Sequence, residues 1–381
     1  MRSIITATLC SCIFIAGLSN RGFGQYQFDA KYEKVQPRVS YAPGIKVIRG
    51  ETRVIVPMEK SHCPAGTLFK FNSGEIQVRD MRSNDNGLTW YKASRSIGAS
   101  TYQFPHPDNE AIEHSFRTKK SATAGVYEAA FFSTKDHGKT WNEFTSYIHL
   151  PVEMNWSGVT DRKITAIPDG SLLMSLYGRI KNTAGFSVVL VRSVDRGRTW
   201  RYYSTVAFNL TEGLLPEGFC EPALLMLPNN KMLCFIRTSG NYPASLGSSN
   251  HNDTSVKMPF HYTKTTPLYM SASNDNGKTW SNAEPVNPFG VWPDALVLEN
   301  GIIALSYGRP GNWLMFSKDD GRTWGPNLPY YNDIYPPDCG NYVSIKEIAP
   351  NVILSVYSRT DPNDNNMSEV VGTYFMVKRE N

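Results

Sequence analysis

The sequence lacks any long stretch in which apolar residues recur with the 3.6-residue period of an amphipathic helix. Aromatic residues make up 12% of the chain, which also contains 29 glycines and 24 prolines. This composition suits short strands joined by turns better than it suits helices. The missing helical period therefore excludes a mainly helical protein and favours an all-β fold.

Runs of basic residues are also absent. The net charge of +5 is small and spread along the chain, which argues against a nucleic-acid partner. There is no glycine-rich phosphate loop and no nucleophile-elbow serine motif. The oxygen-rich segment Asp361–Asn366 (DPNDNN) does not have the spacing of a known calcium loop, so a solvated turn is expected there. We therefore predict no metal and no other cofactor.

Cysteine is scarce, with six residues in 381. Two of them, Cys10 and Cys12, lie in the apolar stretch Ile4–Gly17, which follows the positive charge of Arg2. That pattern predicts a signal peptide over residues 1–25 and a secreted or periplasmic protein, because the run is short for a membrane span. The other four are too few for a disulfide scaffold and match no zinc spacing. Buried thiols are expected, with Cys63 and Cys339 the pair to test for a bridge.

One octamer occurs five times in the chain. Its formula is Ser or Thr, any residue, Asp, any residue, Gly, any residue, Thr, Trp. The copies lie at residues 83–90, 134–141, 193–200, 273–280 and 317–324. An aspartate that folds back onto backbone N–H groups and a glycine with positive φ form a tight turn, and the tryptophan anchors it. Because catalysis seldom needs five copies of one residue, we interpret the octamer as a turn staple that marks a structural repeat.

The stretches before most octamers read as an apolar strand, a Gly/Asn/Asp turn and a second apolar strand, which is a hairpin signal. Successive octamer tryptophans lie 44 to 80 residues apart, a period typical of four-stranded propeller blades. After a loose segment at residues 26–40, we predict a single six-bladed β-propeller of four-stranded antiparallel blades over residues 41–381. The orphan strand at residues 44–57 would close the ring. The predicted blades are residues 61–105, 106–155, 156–216, 217–290, 291–338 and 339–381.

Arginine recurs directly after the second strand of these hairpins. Equivalent positions of a closed propeller lie on one ring around the channel, and arginine forks suit planar carboxylates. The sequence therefore predicts an electropositive cup for an acidic small group, formed by Arg117, Arg179, Arg237, Arg309 and Arg359.

The entry to the first strand carries a second set of aligned residues. Asp161, Glu221, Trp292 and Tyr342 each lie nine residues before the hairpin turn. We expect them to face the same mouth as the arginines. A tyrosine beside arginines and a carboxylate is a candidate nucleophile or proton donor, although on its own it is as often a half-buried aromatic.

The octamers resemble the Asp-box (BNR) repeats of the sialidase superfamily, over about residues 50–379. This resemblance implies a tyrosine nucleophile activated by a glutamate, with three arginines on the substrate carboxylate. Glu221 and Arg237 resemble the family's glutamate and second arginine, Arg309 its third arginine, and Tyr342 its nucleophile. The first arginine, in an Arg-Ile-Pro motif, is replaced here by the histidine of His62-Cys63-Pro64. The family's catalytic aspartate has no clear counterpart.

His62 therefore suggests a different reaction. A histidine and a tyrosine beside an arginine-held carboxylate suit β-elimination on a uronic acid, in which one residue removes the C5 proton and the other protonates the leaving oxygen. In outline, propeller polysaccharide lyases of the rhamnose–glucuronate type are similar. The preferred prediction is such a lyase acting on an acidic glycan. An exo-sialidase or related glycosidase using Tyr342 and Glu221, and a non-catalytic glycan-binding propeller, remain the alternatives. The sugar, the linkage and the oligomeric state are left open.

Overall fold

The computed structural model describes residues 41–61, 67–98, 100–151, 153, 159–180, 185–208, 218–239, 267–308, 311–330, 342–361 and 363–380. These residues form 24 strands and contain no helix. The described part of the chain accordingly has no helix long and apolar enough to cross a membrane. The fold is all-β, as the missing helical period predicts. The predicted signal peptide, the segment at residues 26–40 and the pair Cys63 and Cys339 lie outside the described residues.

The strands assemble into five hydrogen-bonded sheets. One contains β2 (Leu68–Lys70), β3 (Ile76–Val78), β4 (Met81–Ser83) and β5 (Tyr91–Lys92). An eight-stranded sheet contains two groups of four strands. The first group is β6 (Ser100–Gln103), β7 (Ala111–Lys120), β8 (Val126–Thr134) and β9 (Asn142–His149). The second group is β10 (Val159–Ala166), β11 (Leu172–Gly178), β12 (Ser187–Ser193) and β13 (Thr199–Ala207).

Three further sheets have four strands each. Two of them follow chain order. The first is β14 (Gly218–Met226), β15 (Met232–Ser239), β16 (Leu268–Ser273) and β17 (Glu284–Asn287). The second is β18 (Val291–Val297), β19 (Ile303–Gly308), β20 (Asn312–Ser317) and β21 (Leu328–Pro329). The last sheet combines β22 (Ser344–Ala349), β23 (Val352–Asp361) and β24 (Asp364–Arg379) with β1 (Ile45–Lys60).

The N-terminal strand lies in the same sheet as the C-terminal strand. β1 pairs antiparallel with β24, from Ile45 opposite Arg379 to Lys60 opposite Met367. The sheet order is β1-β24-β23-β22, so the edge of β24 is covered by a strand from the other end of the chain. The strand at residues 45–60 therefore supplies the fourth strand of the sheet that contains β22, β23 and β24.

The eight-stranded sheet joins two repeat units. Within each unit the strands are antiparallel neighbours in chain order, and the units meet where β9 runs parallel to β13. The predicted boundary between the first two units, at residue 105, is wrong by a few residues because β6 pairs with β7. β6 has only four residues and precedes a proline-containing segment, so it lacks the apolar run that marks the other first strands.

The octamers are turns closed by their own side chains. In the copy at residues 273–280, the Ser273 hydroxyl donates to Asp275 (2.8 Å) and accepts from the Gly277 N–H (2.9 Å). The Asp275 carboxylate accepts the Thr279 N–H (2.9 Å) and hydroxyl (2.6 Å). The bond from the glycine N–H and the bond from the threonine N–H recur in all five copies. The formula is thus a local folding unit, as its composition predicts.

The octamers also pack against a neighbouring repeat unit. Gly138 has a φ of 79°, and a Cβ atom there would lie 2.6 Å from the ring of Phe71. Gly321 has a φ of 78°, and its Cβ would lie 2.8 Å from Leu233. Only glycine combines the left-handed conformation with so close an approach. The octamers therefore contribute to the packing between neighbouring repeat units.

The hydrophobic core is divided among the spaces between successive groups of four strands. Strand β11 supplies two of these layers: Leu172 and Met174 pack with Phe131, while Leu173 packs with Leu224 and others on the opposite side. Alternate side chains of a strand point to opposite faces, so a strand covered on both faces is apolar at successive positions. This explains continuous runs such as LLMSLY, and it leaves the ends of the strands to carry polar groups.

Candidate functional site

A bulge at the start of β14 positions Glu221. The antiparallel register of β14 and β15 shifts between Cys220 and Ala223, and Glu221 has a positive φ of 46°. Bulges redirect a side chain out of the regular alternation and are frequent beside active sites, and a positive φ is uncommon for a residue with a Cβ atom. The backbone therefore adopts an unfavourable conformation at the residue that the sequence singles out.

The carboxylate of Glu221 is buried and bound by groups that are distant in the chain. One oxygen accepts from Nη1 of Arg237 at 2.6 Å, across the β14–β15 hairpin. The other accepts from the backbone N–H of Trp292, on β18 of the next sheet, at 2.8 Å. Both partners are charged or dipolar donors, so the carboxylate is compensated despite its burial.

Trp292, like Glu221, lies at a β-bulge and has a positive φ. The register of β18 and β19 shifts between Val291 and Asp294, and Trp292 has a φ of 51°. Its ring packs on that of Tyr342, two residues before β22, with centroids 4.6 Å apart and planes inclined at 48°. Trp292 thus contacts both residues: its backbone N–H binds the carboxylate of Glu221, and its ring packs on that of Tyr342.

A tyrosine that sequence reasoning missed belongs to the same cluster. Burial raises the pKa of Tyr177 well above its usual value, and the nearby charge of Glu221 raises it further, while Arg237 opposes the effect. Tyr342 also raises the pKa of Tyr177. Tyr177 precedes Gly178-Arg179, and the equivalent tyrosines Tyr307 and Tyr357 in SYGR and VYSR repeat the pattern. That recurrence is the signal that could have identified it.

Two of the predicted arginines make other contacts. Arg179 is exposed and lies with its guanidinium 5.2 Å from the ring centroid of Phe186. Arg359 donates to Glu369 on β24 with distances of 3.0 and 2.7 Å. Neither contact joins the cluster around Glu221. Of the five arginines, Arg237 is the one whose described contacts place it there.

The other predicted site residues are described in part or lie outside the description. Arg117 is a strand residue of β7 whose backbone pairs with Val159 on β10. Asp161 lies on β10 within a register shift between Thr160 and Ile164, the position that matches the bulge at Glu221. The convergence of His62 and Arg309 with this cluster stays a prediction, because both residues lie outside the described part of the chain.

The cluster combines groups suited to acid–base chemistry. It brings together a carboxylate, a guanidinium, a tryptophan ring and two tyrosines, contributed by three different sheets and by the segment that precedes β22. Within the described ranges, no group of three or more His, Cys, Asp or Glu side chains is arranged to hold a metal ion. In the segment Asp361–Asn366, Asp361 and Asp364 accept backbone N–H groups of their own turn.

Comparison with known proteins agrees with this architecture. Residues 112–255 match the BNR repeat-like domain family. A sialidase of Micromonospora viridifaciens is 26% identical over 184 residues, which are 42% of this chain and 27% of that protein. A sialidase of Clostridium perfringens is 25% identical over 202 residues, 44% of this chain and 49% of that protein.

The chain contains a BNR repeat-like domain and is similar to sialidases over less than half of its length. The matched stretches span about a quarter and about half the length of the two curated sialidases. Among solved structures, a protein of unknown function from Dyadobacter fermentans aligns with a TM-score of 0.65 and 20% identity, over 88% of this chain and all of that one. An α-L-arabinanase of Penicillium chrysogenum, solved with arabinobiose, aligns with a TM-score of 0.60 and 15% identity, over 85% of this chain and 98% of that one. At these identities the structural likeness concerns the fold.

Proposed function

We propose that this chain is a member of the sialidase superfamily and a carbohydrate-active enzyme that cleaves a glycan at an acidic sugar. The observation that carries the proposal is the cluster in which Glu221 binds both Arg237 and the backbone of Trp292, whose ring packs on Tyr342. Strained backbone at Glu221 and Trp292 supports it, because such conformations concentrate at functional sites. The sialidase relatives favour a glycoside hydrolase among the possible enzymes.

The proposal includes a closed six-bladed propeller. In that arrangement the eight-stranded sheet counts as two blades, and β1 is the outer strand of the last one. Contacts between β2 and β22 and hydrogen bonds from Asn72 to Gln103 and Phe104 support it, because they link the first repeat unit to both of its neighbours in the ring. The first strands then surround a common axis, with Glu221, Trp292 and Tyr342 at its mouth.

In the preferred hydrolase mechanism, Tyr342 is the nucleophile. Its hydroxyl attacks the anomeric carbon and transfers its proton to Glu221, while the glycosidic oxygen leaves with the rest of the glycan and takes a proton from solvent. A water molecule then attacks the same carbon and releases one proton to solvent. The tyrosine oxygen leaves and recovers its proton from Glu221. Arg237, with Arg309 and the other arginines of the predicted cup, would hold the sugar carboxylate. Trp292 would pack against the sugar ring.

The second candidate is a uronate lyase, favoured by the sequence His62-Cys63-Pro64 at the place of the family's first arginine. Here the arginines neutralise the carboxylate and acidify the C5 proton. One of His62 and Tyr342 removes that proton, the C4–oxygen bond breaks, and the other residue protonates the leaving oxygen. The product carries a C4–C5 double bond that absorbs in the ultraviolet.

A panel assay with the purified protein tests these proposals. Wild-type protein, Tyr342→Phe and His62→Ala are incubated with sialosides and glucuronate-bearing polysaccharides, and free sialic acid, new reducing ends and ultraviolet absorbance are measured. Hydrolysis that needs Tyr342 but not His62, without absorbance, supports the hydrolase. Absorbance that needs both residues supports the lyase. Glycan binding that persists in both variants, with no turnover, would instead make the protein a binding module.

A further inference from the structure

A group of charged side chains lies on the first strands of three repeat units, deeper in the sheets than the candidate site. Lys163 is on β10, Asp294 on β18 and Lys346 on β22, respectively two, two and four residues beyond Asp161, Trp292 and Tyr342. Nζ of Lys163 forms an ion pair with Asp294 at 2.5 Å and also donates to the carbonyl of Ala295. These strands belong to different sheets, so the group is held by tertiary packing.

Both carboxylate oxygens of Asp294 have partners. Its Oδ1 faces Lys163, while Oδ2 accepts from the Ser344 hydroxyl (3.0 Å) and from the Ile345 N–H (2.9 Å). The side chain of Asp294 is 2% exposed and that of Lys163 is 18% exposed. The pair is therefore shielded from solvent, and it balances one positive charge only.

Lys346 supplies a second positive charge without a second carboxylate. Its ammonium lies 6.0 Å from the ring centroid of Phe69, and the described residues offer Nζ no hydrogen-bond acceptor. Burial and the nearby charge of Lys163 lower the pKa of Lys346 to about 8, although Asp294 opposes the change. A half-buried ammonium beside another ammonium is unfavourable unless an anion joins it.

Lys70 on β2 adds a further positive charge near these strands. Its Nζ donates to the carbonyls of Glu347 (3.2 Å) and Ile348 (3.0 Å). Burial lowers the pKa of Lys70, and the charge of Glu347 opposes this decrease. The Glu347 carboxylate accepts the backbone N–H groups of Glu299 and Asn351. Among the described residues, Lys70 and Lys163 thus have acceptors for their ammonium groups, whereas none is described for Nζ of Lys346.

We propose that Lys346 and Lys163 bind a small inorganic anion, chloride or phosphate, between the first strands. The anion would accept a hydrogen bond from Nζ of Lys346 and offset the repulsion between the two ammonium groups. Asp294 keeps Lys163 in place, and Phe69 bounds the site beside Lys346. This site does not depend on the proposed catalytic role of Tyr342 or Glu221.

Thermal unfolding of the full chain tests the site. The melting temperature is measured at neutral pH and equal ionic strength in sodium gluconate, sodium chloride and sodium phosphate, for wild type, Lys346→Met and Lys119→Met. Lys119 is an 82% exposed lysine and serves as the matched control. Wild type and Lys119→Met should gain melting temperature in chloride, phosphate or both, which identifies the anion, and Lys346→Met should lose that gain. An equal gain in Lys346→Met would overturn the proposal.

A second measurement remains valid if Lys346→Met does not fold. Lysines are reductively methylated with ¹³C, and the resonance of Lys346 is assigned by its absence in Lys346→Arg. In gluconate its titration midpoint should lie near pH 8, and the effective anion should move it to higher pH. A midpoint that is the same in gluconate, chloride and phosphate would mean that Lys346 simply loses its proton, and it would refute the anion site.

Discussion

The carboxylates of Asp275 and Glu221 differ in where their hydrogen-bond partners come from. Those of Asp275 lie within four residues of it, in Ser273 and Thr279. Those of Glu221 lie 16 and 71 residues away, in Arg237 and Trp292. A carboxylate satisfied by its own turn can be copied five times as a folding unit. A carboxylate satisfied across two sheets, as that of Glu221 is, depends on tertiary packing and gathers other functional groups around it.

The strongest test of this comparison is activity. Glu221→Gln removes the charge that faces Arg237 and the proposed proton acceptor of Tyr342, so kcat/KM on the substrate found in the panel should fall at least about 100-fold. Asp275→Asn changes the same chemical group in an octamer and should leave kcat/KM within a factor of about two. Comparable losses in both variants, with the circular dichroism spectra unchanged, would erase the distinction between the two kinds of carboxylate.

Stability should separate buried from exposed ion pairs. Arg237→Ala leaves the buried Glu221 carboxylate without its cation and should lower the free energy of unfolding by about 3 kcal/mol. Lys92→Ala breaks the pair with Asp80, in which the lysine is 72% exposed, and should cost less than about 1 kcal/mol. Urea denaturation of the two variants gives both values. A cost for Arg237→Ala no larger than for Lys92→Ala would contradict the burial argument.

A smaller effect should show what the octamers contribute beyond their own turns. Gly138→Ala and Gly170→Ala both place a Cβ atom at a positive φ, 79° and 82°. At Gly170 nothing lies within 4 Å of that atom, so backbone strain alone should cost about 1 kcal/mol. At Gly138 the clash with Phe71 should raise the total to about 2 kcal/mol or more. Equal costs in urea denaturation would mean that this octamer does not fasten the two sheets.

A further prediction concerns acid stability. Burial lowers the pKa of His114 to about 3, so the unfolded chain alone takes up this proton between about pH 6.5 and 3. The free energy of unfolding should therefore fall by about 1.4 kcal/mol per pH unit across that window, and His114→Leu should remove this slope.

Asp275 supplies the local counterpart to His114. Hydrogen bonds from Thr279 lower its pKa to about 2, so its contribution to stability is present above the unfolded value of 3.8 and is lost only as the pH falls toward 2. Asp275→Asn should therefore leave the profile unchanged above about pH 4. The unfolding free energy of the two variants, measured from pH 7 to pH 3, would contradict this if Asp275→Asn also removed the slope near pH 5.

The repeats made much of the fold predictable. The octamer formula and the turns between apolar runs identified the hairpins and the all-β class, and the unpaired strand near Gly44 led to the sheet that β1 shares with β24. The short strand β6 was missed because it carries no apolar run and little turn chemistry. For the site, alignment on the turns selected Glu221, Trp292, Tyr342 and Arg237, which the structure brings together.

Other parts of the site required the packed sheets. Tyr177 joins the cluster, and Arg359 binds Glu369 instead, because cross-strand neighbours and side-chain direction decide which of several equivalent residues reach one another. The Lys163–Asp294 pair and the ammonium of Lys346 have no pattern in the chain at all. The sequence by itself determined the turns, the strands and the BNR repeat, because these depend on residues within about ten positions of one another. The tertiary structure decided which charges are buried and what compensates them, because burial and charge pairing depend on residues from different sheets.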